Sequence, residues 1–143
     1  MKTYLHPLSR VLVALIFILS GIGKLAGFSA TSAMMAGVGF PAASLFLAGA
    51  IALELGGGLA LVAGYQTRWA ALALAIFLIP ATLVFHAAHL SDPAQGQQQM
   101  IEVLKNLAIM GGLLKFFLDG AGAFSLDAAR AGGGAIQPRE SLG

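Results

Sequence analysis

Four apolar stretches, at about residues 8–28, 45–65, 69–90 and 100–118, limit what this chain can fold into more than any other feature. Each is close to the ~20 residues that a helix rising 1.5 Å per residue needs to cross a hydrocarbon core about 30 Å thick. Only 10% of the 143 residues are charged and 58% are hydrophobic, against about 25% charged in an ordinary soluble domain. The expected fold class is therefore all-α: an integral membrane four-helix bundle over residues 1–120, followed by a Gly-rich tail over 121–143 with no fixed structure. The first stretch is expected to stay as a helix rather than to be cleaved as a signal peptide. It is long, Lys24 interrupts its end, and three further spans commit the chain to the membrane.

The connections set the expected topology. "YQTR" is a tight turn flanked by Tyr65 and Trp69, an aromatic pair suited to a membrane interface. The segment "SATSAMMAGVGFPAA" suits a short helix lying on the membrane surface, and "SDPAQGQQQ" reads as a polar loop. Lys2, Arg10, Arg68, Lys115, Arg130 and Arg139 fall at the amino end, the tight turn and the carboxyl end, whereas the two other connections carry no Lys or Arg. By the positive-inside rule both termini are expected in the cytoplasm, in a multi-pass protein of the bacterial plasma (inner) membrane. With no cysteine, disulfides, thiolate metal sites and thiol relays are excluded. A net charge of +2 with scattered cations offers no nucleic-acid surface.

Polar residues inside apolar spans are costly and therefore informative. Arg10, Val13, Phe17, Ser20 and Lys24 share one face of the first span. The second carries Glu54, with Ala50, Gly57, Gly58 and Leu61 on the same side. A carboxylate at that depth must find a cation or stay protonated, and Lys24 has the reach to pair with it; snorkelling of Lys24 to the headgroups is the alternative. Thr82 and His86 lie one turn apart on the third span, with His89 close by; Glu102, Lys105 and Asn106 share a face of the fourth with Gly112. All four spans thus contribute to one polar cluster in the outer half. Lys24, Glu54, His86, Lys105 and Asn106 are the first candidates for binding a ligand or coupling protons. Arg10, Ser20, Thr82, His89 and Glu102 are second candidates, and Gly57, Gly58 and Gly112 are expected to leave room for the ligand.

Plainer roles compete with these. A His pair three residues apart on one helix is weak evidence for a metal, and no metal site is expected. Asn106 suits a helix–helix hydrogen bond, and Pro80 is expected to kink the third span. Ala48, Ala52, Gly56, Ala60 and Gly64 form a row of small residues read as a packing seam within the bundle, with a dimer face as the alternative.

The stretches "RVLVALIFILSGIGKLAGF", "GFPAASLFLAGAIALELGGGLALVAGYQTRWAALAL" and "KNLAIMGGLLKFFLDGAGAFSLD" resemble the DoxX family of small four-helix membrane proteins from Arg10 to Asp127. The likeness rests on Gly21 and Lys24, on Glu54 with Gly57 and Gly58, on Gly64 and Arg68 of the turn, on the His closing the third span, and on the terminal "GAGAFSLD". The resemblance implies association with membrane oxidoreductases, since the family takes its name from a subunit of a thiosulfate:quinone oxidoreductase. It supplies no catalytic residue set. No nucleotide fingerprint, nucleophile elbow or HExxH is present, so independent catalysis has no motif behind it. Two function classes follow. One is a redox-associated subunit whose polar cluster binds a quinone or couples a proton to it. The other is a non-enzymatic scaffold or carrier of a small lipophilic molecule. Expected partners are membrane lipids, oxidoreductase subunits or further copies of the chain.

Overall fold

The computed structural model describes residues 2–132. These residues form six α-helices and one short 3₁₀ turn, with no strand among them: α1 (Lys2–Ala26), α2 (Phe28–Gly37), α3 (Ala43–Ala63), α4 (Thr67–Phe85), the 3₁₀ turn Ala87–His89, α5 (Gly96–Asp119) and α6 (Leu126–Gly132). Three segments are long and apolar enough to cross a membrane, Tyr4–Ala26, Ala43–Ala63 and Thr67–His89. Helix α5 is of similar length but carries Glu102, Lys105, Lys115 and Asp119.

Helix α3 lies at the centre. Its buried residues Leu47, Ile51, Glu54, Gly58 and Leu61 recur at alternating intervals of four and three, the spacing that keeps one side of a helix against its neighbour. At Gly58 an added Cβ would lie 2.8 Å from Ile18 of α1, and at Gly57 it would lie 2.9 Å from Leu74 of α4. Gly21 of α1 meets Leu55 as closely. These glycines therefore bring backbones together, and the space expected beside Gly57 and Gly58 is filled. Gly112 also faces a neighbour, Val13. The row expected as a packing seam is displaced by about one residue from the true one. Ala48, Ala52 and Gly56 are exposed, Ala60 is half-buried, and only Gly64 is buried. The side of α3 that Glu54 occupies must turn inward, which rotates the small-residue row towards the surroundings.

Two apolar clusters fill the bundle. The larger joins Ala14 and Phe17 of α1, Leu61 of α3, Ala71, Leu74, Ala75 and Leu78 of α4, and Leu113 of α5. The smaller places Met35 of α2 against Ala43, Leu47 and Ile51 of α3. The short helix expected after the first span is thus α2, held to α3 by this cluster and by the Ser32–Ser44 hydroxyl hydrogen bond of 2.7 Å.

Three boundaries differ from expectation. Helix α4 runs through Pro80 but stops at Phe85, so His86 caps it and His89 falls in the 3₁₀ turn. Helix α5 begins at Gly96 because the Gln97–Gln99 run, although polar, continues the helix. Residues 121–132, expected as part of a loose tail, are ordered against the bundle. Ser125 accepts the N–H of Ala128 at 3.1 Å and starts α6. The remainder of the expected tail, residues 133–143, lies outside the described residues.

Candidate functional site

Lys24 and Glu54 meet. The Lys24 ammonium donates to Glu54 Oε1 at 2.8 Å, to Glu54 Oε2 at 2.9 Å and to Ser20 Oγ at 2.6 Å, and the Ser20 hydroxyl donates to Glu54 Oε1 at 3.1 Å. The geometry follows from the helices. Ser20 and Lys24 lie one turn apart on the inward face of α1, and the close approach at Gly21 and Gly58 brings the lysine stem within reach of a carboxylate that is only 4% exposed. Burying that carboxylate without a partner would cost several kcal/mol, about 3–5 by analogy with broken buried pairs. The ammonium has three hydrogens, and each has an acceptor in the protein.

A second set of polar groups stands on α4 and α5. Asn106 Nδ2 donates to Thr82 Oγ1 at 3.0 Å, both residues being buried. His86 Nδ1 lies 2.8 Å from Gln99 Oε1, a hydrogen bond that holds the ring against α5. Lys105 forms an ion pair with Glu102, three residues earlier on the same helix.

Between the two sets lies a cavity of about 1290 Å³. Ser20, Lys24, Glu54, His86, Glu102, Lys105 and Asn106 line it, among largely apolar neighbours from α1 to α5. Leu12, Leu15 and Leu19 line it too, yet they are 61%, 43% and 64% exposed, so the cavity reaches the outer surface of α1 and opens sideways. Pro80 is on its wall, which gives the proline a place in the cavity's shape.

Three expected members stand apart. His89 is exposed and does not line the cavity. Once α4 ends at Phe85, helical spacing no longer carries His89 round to the face of His86. Thr82 is reached only through Asn106. Arg10, expected on the same face of α1, is on that face but about 21 Å along the axis from Lys24 at 1.5 Å per residue.

Arg10 instead builds the other end of the bundle. Its side chain is 1% exposed, and its guanidinium donates from Nη1 to the Ala121 carbonyl and from Nη2 to the Phe124 carbonyl, both at 2.6 Å. Asp127 Oδ1 and Oδ2 accept the N–H groups of Gln66 and Thr67 at 2.8 and 2.9 Å, so a residue sixty positions away caps α4. Burial pushes the Asp127 carboxyl up, but the Thr67 and Gln66 donors and Arg130 outweigh that and hold it below the ordinary carboxylate range. Gly64, read from sequence as part of the packing row, is here the end of α3. Its φ of 65° suits glycine, and a side chain there would collide with Arg10 and Ser125. Arg130 lies 4.7 Å over the Tyr65 ring and Tyr4 stacks on Phe124, completing the closure.

Sequence reading missed Asp127 and Gln99 as site-building residues. The signal for Asp127 was the Ser-Leu-Asp start of α6, a helix-capping pattern hidden by the glycines before it. Gln99 gave no signal beyond belonging to a Gln-rich run.

Comparisons with known proteins agree with the membrane character of the chain. The chain is 39% identical over 119 residues to the inner membrane protein YqjF of Escherichia coli K12, covering 83% of this chain and 86% of that one. It is 36% identical over 122 residues to the inner membrane protein YphA of the same organism, covering 84% and 86%. No solved structure matches the chain. Membrane-crossing helices and inner-membrane relatives together make this a multi-pass protein of the bacterial inner membrane. Since the DoxX family model also matches residues 6–87, the Gly21, Lys24, Glu54 and Gly64 positions included, the chain belongs to the DoxX family.

Proposed function

We propose that this protein binds a quinone-like amphiphile in the side-opening cavity, as a subunit associated with a membrane oxidoreductase. The carrying observation is the cavity itself: about 1290 Å³, with mostly apolar walls and a few polar side chains among them. Such a mixture suits a ligand with a compact hydrogen-bonding head and a long apolar tail. The tail would leave past Leu12, Leu15 and Leu19 into the lipid.

The reading needs a topology, and the arrangement of charge supports one. Arg10, Arg68 and Arg130 gather at the end closed by α6, with Arg68 donating to the Phe117 carbonyl at 3.1 Å. The connections at the other end have no Lys or Arg. In this proposal the Arg10 end faces the cytoplasm and α5 crosses as the fourth span, with Ile101, Leu104, Leu107, Leu114 and Leu118 turned towards lipid.

Mass spectrometry of lipids extracted from gently solubilised protein should show quinone enriched over the bulk membrane. Titration with decylubiquinone in nanodiscs should saturate. If no quinone is enriched and no saturable binding appears, the cavity is not a quinone site and the scaffold reading takes its place.

A further inference from the structure

The polar groups of the cavity are not equivalent donors. On the α1–α3 side every hydrogen of the Lys24 ammonium is already accepted by Glu54 or Ser20, and the Ser20 hydroxyl is spent on Glu54. A ligand could draw on Lys24 only by breaking a charge-assisted bond to a carboxylate that is 4% exposed. On the α5 side the balance is different. Among the described residues Lys105 has one acceptor, Glu102, for its three hydrogens. Asn106 gives one N–H to Thr82, which leaves the rest of its amide unspent among the described residues.

Charge narrows the ligand further. Lys24 is paired with Glu54 and Lys105 with Glu102, so the ionised residues of the wall sum to zero. An anionic headgroup would have no cation in excess to meet it.

Resting on the cavity's assignment as an amphiphile site, we propose that Lys105 and Asn106 of α5 recognise the ligand's head. The head is neutral and accepts hydrogen bonds, while Lys24, Glu54 and Ser20 form a fixed latch that positions α1 on α3. Recognition then belongs to the helix with the lowest hydropathy of the long four, which accounts for polar residues that α5 would otherwise carry at a cost in the membrane.

The test is equilibrium binding of decylubiquinone to the full chain in nanodiscs, with phosphatidylglycerol as the anionic competitor and thermal unfolding followed in parallel. Asn106→Leu and the charge-balanced Glu102→Gln, Lys105→Met double variant should each weaken binding about tenfold or more, equivalent to 1.4 kcal/mol or more. The charge-balanced Lys24→Met, Glu54→Gln double variant should change Kd less than threefold. Phosphatidylglycerol should not compete. If the α5 variants stay folded and bind as the parent does, while the latch double variant loses binding, head recognition lies on α1 and α3; the inference fails and the quinone reading survives. Competition by phosphatidylglycerol would overturn the neutral head. Absence of saturable binding in the parent protein sinks both.

Discussion

Helix α1 carries two cations on one face, and the two ends of the bundle use them differently. Arg10 is sealed: 1% exposed, its two terminal nitrogens each bound to a main-chain carbonyl of the C-terminal segment. Lys24 is half-buried on a cavity wall and paired with a carboxylate from α3. Carbonyls are fixed dipoles that arrive only when the chain folds back, so Arg10 serves to hold residues 121–124 in place. A carboxylate is a charge that must itself be compensated, so Lys24 makes it possible for Glu54 to sit inside the bundle at all. The Arg10 end is accordingly closed by α6, Tyr4, Phe124 and the Asp127 cap. At the Lys24 end the helices stand apart around the cavity. The same inward position thus fastens a terminus at one level and borders an open site at the other.

The comparison breaks most visibly at Arg10. Arg10→Leu removes the donors to the carbonyls of buried Ala121 and exposed Phe124, each charge-assisted bond being worth about 1.5–3 kcal/mol. A loss of about 3–5 kcal/mol is expected, read as a large fall in Tm in detergent, together with protease cleavage between residues 121 and 132. An unchanged cleavage pattern would mean that α6 is held by other contacts.

At the other end, Lys24→Met strands Glu54 and should cost about 3 kcal/mol. Glu54→Gln should cost less, because Lys24 is 30% exposed and can turn to water. The double variant should recover more than half of the larger loss, since it removes both charges. Strictly additive losses in the thermal unfolding cycle would show that the two residues do not act as a pair.

The smallest effect sharpens the contrast through pH. The Asp127 carboxyl is held below its usual range, so its contribution is complete above the unfolded pKa of about 3.9 and is lost as pH falls through the lower folded value. Asp127→Asn should cost about 1 kcal/mol near neutrality, the size of a helix cap. It should also flatten the decline of Tm below about pH 4. A variant that tracks the parent protein through that acid range would remove the carboxylate cap from the account of the closed end.

The sequence by itself determined the helical, membrane-embedded class, three of the spans, and the need of Glu54 for a cation or a proton; that Lys24 pairs with it instead of snorkelling was decided by the structure. The class, the spans and that need follow from length, hydropathy and the cost of an uncompensated charge, quantities that depend on the local chain and its solvent. The sequence did not settle which row of small residues on α3 would pack: Glu54 marked its own side as inward, yet Ala48, Ala52 and Gly56 form a regular row on another, and the contacts of Gly57 with Leu74 and Gly58 with Ile18 show that the Glu54 side packs. Nor could it show that Arg10 and Asp127 close one end, because their partners are backbone groups 111 and 60 residues away, and backbone groups leave no mark in the sequence. The cavity is likewise a product of tertiary structure. It is the space left among α1 to α5 between the Lys24–Glu54 pair and the polar residues of α5. Local sequence sets which surfaces must be buried; the mutual fit of helices decides where burial is incomplete.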